Sequence, residues 1–177
     1  MKKYFKLLVV ILLCAVAVPV LTGCEPKRVD KTFKGEEGTI TFSVKEDSGC
    51  KISTKKEDLR NSAEQGVLIC KDFKIGIEFN DNFNYFFDSD FNKLKAKRKD
   101  YDDYKGVTYG DYKGIQYFYG GYMRYDINFP IEGSKEHYLI LSVYGKEDNE
   151  KSAKAAIKNE EAIDVLNHIT SFKANDK

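Results

Sequence analysis

Two histidines, His137 and His168, are the only imidazoles in the chain. Nucleophilic catalysis needs a base within hydrogen-bond reach of the attacking atom, and the Gly-x-Ser-x-Gly turn that presents a hydrolase serine does not occur. His137 lies in a polar loop and reads as solvated, and His168, between Asn167 and Ile169, reads as a helix-surface or edge residue. A Cys-His pair built on Cys50 or Cys70 would require a thiol that is not already blocked. Asp88, Asp90 and Asn92 reproduce the one-three-five oxygen spacing of a calcium loop. Lys93 then stands where the loop needs glycine, and Lys99 where it needs a bidentate glutamate. The acids therefore suit the start of a helix better than a cation site. No His or Cys spacing suggests zinc, so neither metal nor cofactor is expected.

Eight of the twelve tyrosines fall between Tyr101 and Tyr125, the one compositional anomaly of the chain. Within "GIQYFYGGYMRYDINFP" a two-residue turn at Gly120-Gly121 would set Tyr119 opposite Tyr122, Phe118 opposite Met123, Tyr117 opposite Arg124 and Gln116 opposite Tyr125. One face of that hairpin then carries Tyr117, Tyr119, Tyr122 and Arg124, and the other Phe118, Met123, Tyr125, Ile127 and Phe129. The second face reads as core. The first has two readings, cross-strand pairs that stabilise the sheet itself or a binding surface for a protein or polysaccharide. The segment 93–99 carries five positive charges in seven residues and could touch anionic headgroups. Asp100, Asp102 and Asp103 follow directly, so a solvated helix face is the simpler reading.

The elements that position these residues follow from hydrophobic period. Ile40, Phe42 and Val44 alternate with Thr39, Thr41 and Ser43 and predict a strand, with residues 50–54 as its partner across a turn at 46–49. A short helical turn is expected in 55–62, and a long strand or strand pair in 67–79, with one wet face. Phe87, Phe91, Leu94, Arg98 and Tyr101 recur at helical spacing. Strands are expected at 107–112, 114–120, 121–129 and 138–144. Ala153, Ala156 and Ile157 open a C-terminal helical region, in which Asn159 caps a segment burying Ile163, Leu166 and Ile169 or Thr170. The fold class implied is α+β: one domain, a twisted antiparallel sheet with flanking helices and a C-terminal helix packed upon it.

Ahead of this domain stand three lysines in the first six residues and an uncharged apolar run over 7–20, the layout of a signal peptide. Fourteen residues are too few for a spanning helix. The run ends in Leu21-Thr22-Gly23-Cys24, which resembles the lipobox of bacterial lipoproteins. The resemblance implies cleavage before Cys24 and diacylglycerol on its sulfur, a long-lived membrane anchor. Residues 1–23 are then the signal peptide, 24–38 a polar tether and 39–177 the globular domain. The processed chain holds 26 basic against 28 acidic residues, a balance that steers it toward neither nucleic acid nor an acidic surface. Cys14 leaves with the signal peptide and Cys24 is consumed by lipid. Cys50 and Cys70 remain as disulfide partners or as two buried thiols.

"GYMRYDINFP", "YLILSVYG" and "EEAIDVLNHITSF", together spanning much of 71–174, resemble members of the PsbP-like fold family. The resemblance implies an antiparallel sheet flanked by helices, an architecture shared by photosystem extrinsic proteins and many bacterial lipoproteins. It implies no activity and transfers no functional residue. The leading expectation is a lipid-anchored, non-enzymatic binding or accessory module facing outward from a bacterial cell membrane, with an envelope protein or polymer as partner and no nucleic acid. The rival expectations are an envelope hydrolase using carboxylates dispersed along the sequence and a structural subunit of a membrane complex.

Overall fold

A computed structural model describes residues 25–36, 38–80, 104–109, 112–119, 122–128, 138–147 and 149–174. The described residues form ten strands, two short helices and two 3-10 turns. The fold is mixed α and β, but the strands belong to two sheets rather than one. β1 (Arg28–Lys34), β2 (Gly38–Lys45) and β10 (Ile169–Ala174) make a three-stranded sheet with β2 at its centre. The larger sheet has the order β3-β4-β5-β9-β8-β7-β6. Its strands are β3 (Lys51–Ser53), β4 (Gly66–Ile69), β5 (Phe73–Asn80), β6 (Lys105–Tyr109), β7 (Tyr112–Tyr119), β8 (Tyr122–Asn128) and β9 (Tyr138–Gly145). Every pairing in both sheets is antiparallel.

β2 behaves as its period-two pattern requires, with Ile40, Phe42 and Val44 fully buried. Its partners differ from expectation. Residues 28–34, expected as tether, are β1, paired with β2 from Arg28↔Lys45 to Lys34↔Thr39. Charged residues at alternate positions disguise this strand. They are the usual dress of a sheet edge, while Phe33 turns inward and stacks on Phe79 with ring centroids 6.2 Å apart. Arg28 extends from β1 to Asp164 at 3.0 Å and to the Ser43 carbonyl at 2.6 Å. Residues 51–53 do not return onto β2. Gly49, at φ +67°, turns the chain out of the small sheet, and β3 pairs with β4 instead. A disulfide joins Cys50 and Cys70, immediately beyond the Lys51↔Ile69 pair of that hairpin.

The two helices begin where asparagines stand. Asn149 caps α1 (Glu150–Ala156) by accepting from the Ser152 N–H at 2.8 Å. Asn159 caps α2 (Glu160–Asn167) by accepting from the Glu161 and Ala162 N–H groups at 2.9 and 3.2 Å. α1 packs on β9 and β8, and α2 on β2. The buried face of α2 is Ala162, Val165 and Leu166, whereas Ile163, expected inward, is 43% exposed. The helix also ends sooner than expected. The chain turns at His168, and Ile169 and Thr170 open β10, which pairs with β2 from Ile169↔Phe42 to Ala174↔Gly38. Ile169 and Thr170 are β-branched, a shape that suits a strand better than a helix.

The main core lies between the two sheets and the helices. β2 contributes Phe42 and Val44, β5 Phe73, Ile75 and Ile77, β9 Leu139, Leu141 and Val143, and α2 Val165 and Leu166. The other face of the large sheet was expected to be wet. At its centre it is not: Val67, Ile115, Tyr117 and Ile140 are each at most 2% exposed.

Candidate functional site

The hairpin of β7 and β8 has the register that a Gly-Gly turn dictates: Tyr119↔Tyr122, Phe118↔Met123, Tyr117↔Arg124 and Gln116↔Tyr125. Gly120, Gly121 and the Tyr122 side chain lie outside the described residues. Of the proposed binding face, only Tyr119 is exposed among the side chains described, at 50%. Tyr117 is 1% exposed and belongs to the interior. Arg124 is largely enclosed, its guanidinium 3.5 Å from the Glu78 carboxylate, which is enclosed to the same degree. Strand β9 separates β5 from β8, so Val67, Gly76, Ser142, Arg124 and Tyr117 form one row across five strands. Tyr117 lies on β7, one strand in from the β6 edge, and its face is covered rather than open, since Val67, Ile115 and Ile140 on that face are buried as well.

The same row leads to a group that no motif announces. Glu64, 4% exposed, enters from the segment before β4. Its turn is formed by Asn61, whose side-chain oxygen accepts from the Ala63 and Glu64 N–H groups at 2.8 and 3.1 Å. One carboxylate oxygen, Oε2, accepts from the Arg60 backbone N–H at 2.8 Å and from the Tyr144 hydroxyl at 3.2 Å. The other, Oε1, is buried over Gly76 with no hydrogen-bond partner among the described residues. A Cβ at 76 would meet this carboxylate, so a side chain there would push Glu64 out of its present position. The Arg60 guanidinium sits 5.4 Å from the centre of the Tyr144 ring. Burial pushes the Glu64 pKa up, more than its hydrogen bonds from Arg60 and Tyr144 and the charges of Arg60 and Lys74 pull it down.

A carboxyl whose folded pKa is raised binds its proton more tightly in the native state than in the unfolded chain. Stability is then highest at low pH and declines as pH rises from the ordinary glutamate range through the raised value. Glu64→Gln retains an acceptor for both donors and removes the charge. Urea unfolding of both proteins between acidic and neutral pH should show the wild type losing stability relative to the variant as pH rises. Parallel curves would show that Glu64 does not titrate differently on folding.

Chemically, this face offers a buried carboxyl on Glu64 whose pKa is raised by burial, a phenol beside it and an ion-paired glutamate, Glu78, two residues along β5 from Gly76. Nothing in the sequence marks Glu64, which sits in the polar stretch Ser62-Ala63-Glu64-Gln65-Gly66. Its environment exists only once β4 and β5 pair. His168 is exposed at the end of α2, its Nδ1 2.7 Å from the Asp164 carbonyl, and has no nucleophile as its partner in any hydrogen bond seen. Among the described residues no group of three or more His, Cys, Asp or Glu could hold a metal ion, and no helix is long and apolar enough to cross a membrane. Cys24, His137, the Asp88-Asp90-Asn92 spacing, the helix expected over 88–101 and the basic run 93–99 all lie outside the described residues.

Comparison with protein-family models, with curated proteins and with solved structures finds no match to this chain.

Proposed function

We propose that the chain is a lipid-anchored, non-enzymatic binding or accessory module, a single domain held at the outward face of a bacterial cell membrane through Cys24. The observation that carries this reading is the lipobox Leu21-Thr22-Gly23-Cys24 at the end of an uncharged apolar run. The start of β1 at Arg28 shortens the tether to Glu25, Pro26 and Lys27. Four Cα steps separate Cys24 from Arg28, a reach of about 14 Å when extended, so the small sheet rides close to the headgroups. The partner is an envelope protein or polymer, and Tyr119, half exposed, presents aromatic surface on the same domain.

In a bacterial host, Cys24→Ser should release the protein from the membrane fraction or block its processing. Unchanged membrane partition and unchanged mass would reject the lipid anchor.

An envelope hydrolase is the second reading, favoured by the placement of Glu64 and Glu78 on one face in contrasting environments. Turnover of wall polymer or lipid ester by the intact chain, abolished in Glu64→Gln, would favour it over the binding module.

A further inference from the structure

Residues 54–65 join β3 to β4, and both ends of this loop are fixed. β3 and β4 pair from Lys51↔Ile69 to Ser53↔Val67, and the Cys50–Cys70 disulfide closes the far end of the same hairpin. The loop folds onto the face of the large sheet turned away from the small one, where Glu64 meets Gly76 of β5 and Tyr144 of β9. Apolar packing does not hold it there, since Glu64 is its only buried residue. We propose that the loop is a lid, latched on the sheet by the neutral carboxyl of Glu64 and released when that proton is lost.

The latch is a single group. Glu64 Oε2 accepts from the Arg60 N–H and the Tyr144 hydroxyl, so one carboxyl ties the loop to itself and to β9. Oε1 is buried and has no partner among the described residues. Burying such an oxygen costs far more when it is ionised than when it is neutral. Arg60 on the loop and Lys74 on β5 favour the anion but do not outweigh burial. Asp58 on the loop accepts from Ser53, and Glu78 and Arg124, elsewhere on the same face of the sheet, are paired with each other. Few other attachments hold the loop. Gln65 donates its backbone N–H to the Ile77 carbonyl and its side-chain amide to that of Phe79, and the Arg60 guanidinium lies against the Tyr144 ring. Because ladder and disulfide pin both ends, the loop can lift without unfolding the sheet, uncovering Gly76 and Tyr144, both buried when it is closed. A closed lid binds the proton more tightly than an open one, in which Glu64 titrates as an ordinary glutamate. Closure is therefore strongest below the ordinary value and weakens as pH rises through the raised one, opening growing about tenfold per pH unit between the two.

Amide hydrogen exchange in the full chain, followed from about pH 4 to about pH 8 and corrected for the intrinsic pH dependence of exchange, reads the lid through the Arg60 and Gln65 N–H groups. Their protection should fall by about tenfold per pH unit above the ordinary glutamate range and then level off, while the amides of β9 keep theirs. Glu64→Gln should make the protection independent of pH. Tyr144→Phe, which keeps the ring beside Arg60 and removes the hydroxyl, should lower the protection of both amides at every pH with β9 still protected. Protection independent of pH in the wild type overturns the proposal, as does the same pH dependence in folded Glu64→Gln, unchanged protection in Tyr144→Phe, or an equal loss throughout β9. None of these readouts depends on lipid at Cys24 or on turnover, so failure of either functional reading leaves the lid to be judged by itself.

Discussion

Replacing Tyr117 by serine should destabilise the protein by about 3 to 5 kcal/mol, the range seen when a buried aromatic ring is cut back. Tyr119→Ser on the same strand should cost less than about 1 kcal/mol. The contrast arises from environment alone, since Tyr117 is 1% exposed and Tyr119 50%. Equilibrium unfolding in urea measures both, with the midpoint moving strongly for Tyr117→Ser and little for Tyr119→Ser. Equal shifts would show that Tyr117 does not occupy the interior. One practical result concerns binding experiments. A variant changed at Tyr117, Tyr119 and Tyr122 together would mix a loss of stability with any loss of contact, so a surface contribution must be read from variants that leave Tyr117 in place.

Removing the disulfide by Cys50→Ala with Cys70→Ala should cost about 3 kcal/mol, as loop-closure entropy predicts for a crosslink spanning 20 residues. The expected loss is more than a hundredfold in the folding equilibrium. Both cysteines belong to the buried core, and the bond ties the ends of the β3-β4 hairpin at one edge of the large sheet. The measurement compares unfolding of the oxidised wild type, the reduced wild type and the double variant. Agreement between the last two, both well below the first, separates the crosslink from the packing of the sulfur atoms. Identical midpoints for all three would mean that the bond constrains nothing in the unfolded chain.

The features that the sequence disclosed are those set by local rules. Gly120-Gly121 pins the register of β7 and β8, the alternation in 39–44 marks β2, and Asn159 announces the start of α2. What stayed hidden depends on partners distant in the chain. Arg28, Asp30 and Lys34 read as a tether because an edge strand needs few apolar contacts, here supplied by Phe33 and Val29. Ile169 and Thr170 fit the helical period until β2 offers them a ladder. Tyr117 and Arg124 read as an outward face because their polar atoms do not reveal a second buried layer. Glu64 could not be found without the opening above Gly76 that accommodates its carboxylate.

The small sheet is assembled from opposite ends of the chain, with β2 gripping β1 nearby and β10 from more than a hundred residues further on. Closing so long a loop is slow and must precede the contacts that reward it. As the chain emerges from its N-terminus, the β1-β2 hairpin can form early. One side of β2 nevertheless stays open until the last strand arrives. Completion of the small sheet is thereby deferred to β10, and a chain lacking Ile169–Ala174 would leave one side of β2 without its ladder.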